Sequence, residues 1–442
     1  MSLLSESEAR AILQKTLSFS KADECQVSLS GARAGNLRFA RNTVSTSGGS
    51  DTLSLAVTSS LGRKSGAATI NEFDDASLER AVRSAEELAR LSPENPEFMP
   101  AIGPQTYLEP QAHFEATAKV TQEDRVRWAA ASIGHCKERK LTAAGYLSDS
   151  ARFSALANSK GLFGYQRRTD IDFSVTTRTE DGRGSGYALA DFNDASRLDA
   201  GGVTAIAARK ALQSREARAI EPGKYTVILE PSAGVTLVNL MLNAMNARLT
   251  DEGRSFLSKA GGASRVGEKI VDERVNLWTD PMNAELPGNK WGSDGRAQRR
   301  TDWIQGGVVK NVGYTRFWAK QQGRDENAAP PPAFGRSIMG GTDTPLDALI
   351  KGVKRGVLVT RLWYIRAVDP QTLLYTGLTR DGTFFVENGE IKFPVKNFRF
   401  NESPVIMLNN LEALGRPQRV ENSLIPPMVL RDFTFSSLSD AV

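Results

Sequence analysis

Short segments with alternating apolar and polar residues dominate the first half of the chain, and this period of two is typical of half-buried strands. Helical spacing replaces it in two places. Ser5 and Glu8 form a capping-box pair ahead of apolar residues at helical spacing, and residues 77–91 form a clear amphipathic helix. The alternating segments are QVSLSG, NLRFAR and DTLSLAVTSS.

An internal repeat links these elements. Residues 62–91 and the segment that starts at residue 182 share a glycine-rich turn, and an alternating strand precedes each copy. We predict two strand–turn–strand–helix units that share one sheet, a duplicated α+β arrangement. In the first copy the matched residues are Gly62, Arg63, Ser65, Gly66 and Ala68; in the second they are Gly182, Arg183, Ser185, Gly186 and Ala188.

The second half of the chain has a different pattern. A Pro-Gly turn at residues 222–223 separates a helical segment from the apolar run YTVILEP, so we predict an N-terminal α/β domain over residues 1–218 and a C-terminal domain over residues 219–442. Gly306-Gly307 and Asn388-Gly389 stand between alternating segments, which indicates hairpins. The C-terminal domain is therefore predicted to be mostly antiparallel and barrel-like.

One predicted helix, residues 234–253, carries an unusual polar face. Asn239, Asn243 and Asn246 lie at i, i+4 and i+7. Asparagine is a mediocre helix former, and its amide is unfavourable when it is buried without partners. The three side chains either face a cavity or form hydrogen bonds with nearby backbone groups or with water.

Composition argues against several classes of protein. The net charge of +5 comes from 56 basic and 51 acidic residues, too mild and too scattered for a nucleic-acid-binding protein. No apolar run is long enough for a membrane span, and the first residues lack the pattern of a signal peptide. Cys25 and Cys136 are the only cysteines, so we expect a protein of the reducing cytoplasm.

Familiar catalytic motifs do not occur in the sequence. His113 and His135 are the only histidines, and neither has a partner at zinc-ligand spacing. There is no GxSxG, Walker or CxxC motif. Serine–lysine chemistry stays open, because no spacing decides it. The residues alone therefore define no active site.

The ordered motifs resemble those of the TldD/PmbA family, known for peptide processing and for the name modulator of DNA gyrase, and the resemblance runs nearly end to end. It implies an N-terminal α/β domain and a mostly β, barrel-like C-terminal domain. The segments that carry it are NLRFARNTVSTS, GRKSGAATINEFDDASLERAVRSAEELA, GYALADFNDASRLD, PGKYTVILEP, GSDGRAQRRTDWIQGGVVKNVGYTRFWAKQQG, KRGVLVT, GTFFVENGEIKFPVKNFRF and SLIPPMVLRDFTF.

The family's zinc motif is absent at the corresponding helix. In TldD-type members HExxxH follows the VILEP-like strand, and here Val238, Asn239 and Asn243 stand at the two histidines and the glutamate between them. The family's thiolate ligand lies late in the chain, where no cysteine occurs after Cys136. Valine has no lone pair, and an amide is a poor zinc ligand and no general base. We expect no cofactor on this chain and zinc only on a TldD-type partner.

The resemblance implies a TldE/PmbA-like non-catalytic subunit of a heteromeric zinc metalloprotease that acts on unfolded or flexible peptides. Such a subunit would form part of the cavity wall and help to hold the substrate. The candidate peptide contacts are Val238, Asn239 and Asn243. The alternatives are a homodimeric peptide-binding or scaffold protein without protease activity, a gyrase-directed regulator, and a metal-free hydrolase. An enzymatic activity of this chain alone stays undecided.

Overall fold

The N-terminal part of the protein consists of two similar units that follow one another in the chain. The computed structural model describes residues 3–332 and 335–439. The first unit contains α1 (Glu6–Ser18), β1 (Glu24–Ala40), β2 (Thr43–Leu61), β3 (Lys64–Ile70) and α2 (Asp75–Leu91). After a short helix, α3 (Glu115–Ala118), the second contains α4 (Gln122–Glu138), β4 (Leu141–Asn158), β5 (Phe163–Thr179), β6 (Ser185–Phe192) and α5 (Ala200–Gln213).

The two units share one antiparallel sheet of six strands in the order β3-β2-β1-β4-β5-β6. The first strand of each unit lies at the centre, where β1 pairs with β4, and the helices cover one face. Ser5 caps α1 in a capping box, as the sequence predicts. The predicted duplication of a strand–turn–strand–helix unit in one sheet is therefore confirmed.

Repeated glycines explain why the two units have similar sequences. Gly62 and Gly182 occupy the turns before β3 and β6 with φ of 58° and 71°, a region that glycine adopts without strain. Gly66 and Gly186 lie on the strands that follow. A Cβ at Gly66 would be 2.3 Å from the carbonyl oxygen of Ala85 on α2, and one at Gly186 would be 2.1 Å from that of Ala207 on α5. The missing side chains thus allow each helix to approach its strand closely.

The C-terminal part begins after the segment 214–222 and contains a closed barrel. Its strands are β7 (Gly223–Leu229), β8 (Leu277–Thr279), β9 (Thr301–Gln305), β10 (Val308–Val309), β11 (Ile338–Met339), β12 (Arg355–Asp369), β13 (Leu374–Glu387), β14 (Glu390–Pro394), β15 (Phe398–Glu402), β16 (Leu411–Leu414), β17 (Gln418–Val420), β18 (Ser423–Ile425) and β19 (Met428–Leu438). Strands β12, β7, β19, β15 and β13 pair in a ring, because β12 also pairs with β13. The barrel-like α+β prediction is confirmed.

A second sheet of six short strands, in the order β10-β9-β8-β11-β18-β17, completes this part. The turns at Gly306-Gly307 and Asn388-Gly389 have positive φ at both residues, as predicted for tight hairpins. The predicted boundary between residues 218 and 219 falls in the segment between α5 and β7. The division of the chain into two domains, residues 1–218 and 219–442, stays a prediction.

The helices of the C-terminal part are shorter than the sequence pattern suggests. They are α6 (Pro231–Asn243), α7 (Ala247–Asp251), α8 (Arg316–Gln321), α9 (Leu346–Lys351) and α10 (Pro404–Asn409), and single 3₁₀ turns occur at Ala195–Arg197 and Ala260–Gly262. The expectation of one helix over residues 234–253 is wrong. Helix α6 ends at Asn243, and a separate short helix, α7, begins at Ala247. None of the helices in residues 3–332 and 335–439 combines the length and the apolarity needed to cross a membrane.

Candidate functional site

Helix α6 is the element that the family resemblance singles out, and it lies in the largest apolar core of the protein. It follows β7 directly, and Pro231 starts it with a fixed φ and no backbone donor to satisfy. Leu237, Val238 and Met241 are fully buried in this core. Val238 therefore packs as an ordinary core residue.

Asn239 is buried, and its amide is hydrogen-bonded on both sides. Its Oδ1 accepts a hydrogen bond from the Ser337 hydroxyl at 2.6 Å, and its Nδ2 donates to the Ser423 Oγ at 3.1 Å. Only 2% of the residue is exposed. A buried amide with both partners is well tolerated. Asn239 thus ties α6 to the segment before β11 and to β18.

The other two asparagines bond to nearby groups of the chain. Asn243 is half-buried, and its Nδ2 donates to the backbone carbonyl oxygen of Asn239 at 2.6 Å. Asn246 is the N-cap of α7, where its Oδ1 accepts from the Leu249 amide. The three residues therefore do not form one continuous polar face. A contact of Val238, Asn239 or Asn243 with a peptide stays a prediction.

The residues at the position of the zinc motif do not fit a zinc ion. Val238 offers no donor atom, and the amide oxygen of Asn239 already accepts a serine hydrogen bond. Within residues 3–332 and 335–439, no group of three or more His, Cys, Asp and Glu side chains could hold a metal ion. Both histidines and both cysteines lie in the N-terminal part, where burial raises the pKa of Cys136 to about 11.

Arg296, in the basic segment GRAQRRTDW at residues 295–303, has a structural role. Arg296 is 3% exposed, and its guanidinium donates to the carbonyl oxygens of Glu326, Ala328 and Tyr314. Its Nε lies 2.7 Å from an Asp294 carboxylate oxygen. A guanidinium held in this way has no free face for a phosphate.

A polar cleft of about 310 Å³ opens beside the partners of Asn239. Arg336 and Asn422 line it, and they directly precede Ser337 and Ser423 in the chain. Its other wall is the sheet face opposite the helices of the N-terminal part. The full lining consists of Arg152, Ser154, Gln166, Arg168, Asp170, Asp172, Asn289, Arg336 and Asn422.

Strand β5 supplies most of the charged groups of this wall. Gln166, Arg168, Asp170 and Asp172 are spaced by two residues and so share one face, while Ile171 and Phe173 face the helices. Arg152 on β4 lies directly opposite Arg168 in the strand register. None of the sequence motifs indicated this site, although alternating charges along a strand with an apolar reverse face are a signal that could have done so.

A buried ion pair joins the two walls next to the cleft. The Nε of Arg419 on β17 lies 2.9 Å from Oδ2 of Asp191 on β6, and the two side chains are 5% and 3% exposed. Arg419 also donates to the side-chain oxygen of Asn193 and to the carbonyl oxygen of Glu285. The N-terminal sheet and the C-terminal part are thus bonded together here.

Burial perturbs two titratable groups of the cleft. Burial, and next the charges of Asp191 and Asp170, raise the pKa of Asp172 to about 6. Burial, and next the charge of Arg168, lower the pKa of Arg336 to about 9, so its guanidinium stays protonated at neutral pH. Desolvation favours the neutral form of each group.

An apolar pocket of about 330 Å³ adjoins the cleft. The two cavities share Asn289 and Arg336 as lining residues. Trp291, Leu286 and Pro330–Pro332 are among the residues that form the apolar walls. Together the two cavities form a groove with one charged end and one mainly apolar end, and the lining of the apolar end also includes Asp280 and Gln298.

Known proteins share this architecture over almost the whole chain. The TldE protein from Thermococcus kodakarensis is 17% identical, with a TM-score of 0.86, and the alignment covers 96% of this chain and 99% of that one. A presumed modulator of a DNA gyrase from Thermotoga maritima is 16% identical, with a TM-score of 0.85 and the same coverage. A presumed modulator of DNA gyrase from Bacteroides thetaiotaomicron is 20% identical, with a TM-score of 0.84, and the alignment covers 98% of this chain and 99% of that one.

Family models give the same result from the sequence. No curated protein matches the chain. The models for domain 1, the central domain and the C-terminal domain of the PmbA/TldA metallopeptidases match residues 25–89, 115–215 and 222–437, respectively. The chain belongs to the PmbA/TldD family.

Proposed function

We propose that this chain is the TldE/PmbA-like, non-catalytic subunit of a heteromeric TldD-type zinc metalloprotease that acts on unfolded or flexible peptides. The observation that carries the proposal is the environment of α6. Val238 is fully buried in the core at the position of the family's first histidine. Asn239 and Asn243 use their amides within the chain. The zinc helix is thus present as a structural element without its metal chemistry.

In this role the chain supplies a wall of the peptide site, and the partner supplies the zinc ion and the activated water. The polar cleft and the apolar pocket support such a role, because they lie beside Ser337 and Ser423, the partners of Asn239. Extended peptides pair with exposed strand edges or lie in grooves of this kind. We place the complex in the cytoplasm, because both cysteines are buried free thiols.

A homodimeric peptide-binding or scaffold protein is the second candidate. The same groove favours it, because a peptide site needs no metal. A gyrase-directed regulator is the third candidate, and it is suggested by the names of two proteins of the same fold. Direct DNA contact is disfavoured by the mild charge of +5 and by the internal bonding of Arg296.

Native mass spectrometry with metal analysis tests the proposal. The chain is expressed alone and together with the HExxxH-bearing relative from the same genome. We expect a one-to-one complex with zinc on the relative only, and cleavage of a flexible peptide only by the complex. The control is the relative with its motif glutamate changed to glutamine, which should still assemble and bind zinc but should not cleave.

Three outcomes would contradict the proposal. A stable homodimer that ignores the relative would favour the scaffold protein. Peptide cleavage by the chain alone would show an active site of its own. Retention of a DNA duplex at physiological salt would favour the gyrase-directed regulator.

A further inference from the structure

Arg336 is a partly buried cation without an acidic partner. Its Nη1 donates to the carbonyl oxygen of Pro287 at 3.2 Å, and no carboxylate among the described residues lies within ion-pair distance of it. Arg168, a second lining residue of the cleft, has a like charge that acts on Arg336. A desolvated guanidinium is costly unless an anion compensates it. A negatively charged ligand bound in the cleft at Arg336 would supply this compensation.

Arg168 has one buried nitrogen, Nη2, without a hydrogen-bond acceptor among the described residues. The residue is 6% exposed, and its Nε and Nη1 donate to Asp170 and to the Pro287 carbonyl oxygen. Its Nη2 lies 2.9 Å from Oδ1 of Asp170 but is not aligned for a hydrogen bond, and it has no other acceptor among the described residues. Buried donors in native proteins are almost always satisfied. An acceptor from a ligand would complete the set.

The lining of the cleft carries more positive than negative groups. Three guanidinium groups, those of Arg152, Arg168 and Arg336, face two carboxylates, Asp170 and Asp172. Asp170 is shared by Arg152 and Arg168, at 2.8 Å and 2.9 Å. Asp172 has no hydrogen-bond partner in the described structure and opens to the cleft. Of the three guanidinium groups, that of Arg336 is the one that forms no ion pair with a described residue.

We propose that the cleft is a carboxylate-binding subsite for a peptide, in which Arg336 and Arg168 hold the carboxylate and the adjoining apolar pocket takes a neighbouring apolar side chain. Guanidinium groups bind carboxylates by charge-assisted and often bidentate hydrogen bonds. Asn289 and Asn422 offer amides that can bond to the peptide backbone. Trp291 and Leu286 supply the apolar contact. This subsite deepens the proposed function and rests on it.

The carboxylate has two sources within one chemistry, the free C-terminus of a peptide or an acidic side chain. The adjoining pocket favours the C-terminus, because a terminal residue carries its carboxylate and its side chain on the same Cα. The two cavities have volumes of about 310 and 330 Å³. They lie side by side, because Asn289 and Arg336 line both of them. A terminal Phe or Leu fits both requirements at once.

Fluorescence anisotropy on the isolated full-length chain tests the subsite without the protease partner. Three N-terminally labelled peptides are compared: one that ends in a free Phe, its C-terminal amide, and an amidated peptide with an internal Asp. We expect the free acid to bind at least tenfold more tightly than the amide. Equal affinity for the amidated Asp peptide would assign the carboxylate to a side chain and overturn the assignment to the C-terminus.

Arg336→Gln is the decisive variant, because it removes a charge without leaving a carboxylate unpaired. It should weaken the free acid tenfold or more and leave the amide unchanged, while Arg336→Lys should recover part of the affinity. Arg127→Gln is the matched control and should bind like wild type, because this guanidinium is 72% exposed on α4, which covers the sheet face opposite the cleft, and it lines neither cavity. Circular dichroism melting confirms that each variant is folded.

Two results would overturn the subsite. In the first, the free acid and its amide bind equally, or neither binds. In the second, Arg336→Gln binds the free acid as wild type does. Displacement of the label by millimolar inorganic phosphate without discrimination between acid and amide would indicate a phosphate site instead. Because assembly with the zinc-bearing relative is measured separately, a chain that assembles but does not discriminate would refute only the subsite.

Discussion

Arg419 and Asp191 form an ion pair that is almost completely buried and that connects the N-terminal sheet to the C-terminal part, with 2.9 Å between Nε and Oδ2. The backbone amide of Asn422 donates to the same carboxylate oxygen at 3.0 Å. The pair thus positions the residue that precedes Ser423, and Ser423 in turn bonds to Asn239. The geometry of the cleft therefore depends on this contact.

Removal of one partner of this pair should be strongly destabilising. Asp191→Ala leaves the Arg419 charge buried and uncompensated, and we expect a loss of about 3 kcal/mol in the free energy of unfolding. Thermal and urea denaturation measure it. The control is Asp302→Ala, at an exposed pair with Arg300, where we expect about 0.5 kcal/mol or less. Equal effects of the two variants would show that the buried pair has no special role.

Asn239 should contribute stability through its two serine partners. Asn239→Ala leaves the hydroxyls of Ser337 and Ser423 without their amide and creates a small cavity in the core. We expect a loss of about 2 kcal/mol. Asn243→Ala removes only a local bond to the helix backbone, so about 0.5 kcal/mol is expected. Chemical denaturation of both variants gives the comparison, and a larger effect at Asn243 would contradict it.

Restoring the zinc motif in sequence should not restore zinc binding. In the combined variant Val238→His, Asn239→Glu and Asn243→His, the first imidazole would replace a fully buried core valine. We expect less than one-tenth equivalent of zinc by metal analysis and a lower Tm. Val44→His, at a valine that is 42% exposed, is the control for the histidine itself and should leave the Tm unchanged. Stoichiometric zinc in the combined variant would contradict this prediction.

Asp172 should make stability depend on pH. Burial, and next Asp191 and Asp170, raise its pKa to about 6, while Arg419 and Arg152 act in the opposite direction. The folded state therefore binds a proton that the unfolded state has already released, so folding loses stability as the pH rises from about 4 to about 6 and the loss persists above that window.

Asp172→Asn should remove this loss. The difference in the free energy of unfolding between the variant and wild type should be about 2 kcal/mol more favourable to the variant at pH 7.5 than at pH 4. Urea denaturation at both pH values measures the difference. The fully exposed Asp343 offers a control, Asp343→Asn, which should follow wild type at both values. Parallel curves for Asp172→Asn and wild type would refute the prediction.

Gly186 should not tolerate a side chain. A Cβ there would lie 2.1 Å from the Ala207 carbonyl oxygen, so Gly186→Ala must push α5 away from β6, and we expect a loss of about 3 kcal/mol. Gly134 on α4 has open space where a Cβ would stand, so Gly134→Ala should stabilise by about 0.5–1 kcal/mol. Thermal denaturation of the pair gives opposite signs if the packing is as described.

Local patterns predicted much of this fold because they report local physics. The capping box at Ser5, the amphipathic α2 and the Asn388-Gly389 turn depend on residues close together in the chain. The repeat was visible because both units need glycine where the helix meets the strand. The break between α6 and α7 was not visible, since it depends on the bond from the Ala247 amide to the carbonyl oxygen of Gly313, a distant residue.

The candidate site was largely beyond sequence analysis for the same reason. Arg168 and Asp170 stood in an alternating strand pattern, but nothing marked that face as buried by a second domain. Arg336 and Asn422 come from separate loops, and only the fold brings them to β5. The family resemblance pointed to α6, and the cleft is lined by the residue directly before each of the two serines that bond to Asn239.

Because one wall of the cleft comes from β5 and the other from the segments before β11 and β18, its aperture is a property of neither part of the chain alone. Residues that never touch a bound peptide, Arg419 and Asp191 above all, set the spacing of the two guanidinium groups. A chain cut between α5 and β7 would leave six of the nine lining residues on one fragment and three on the other, and peptide affinity would return only when the two fragments reassociate.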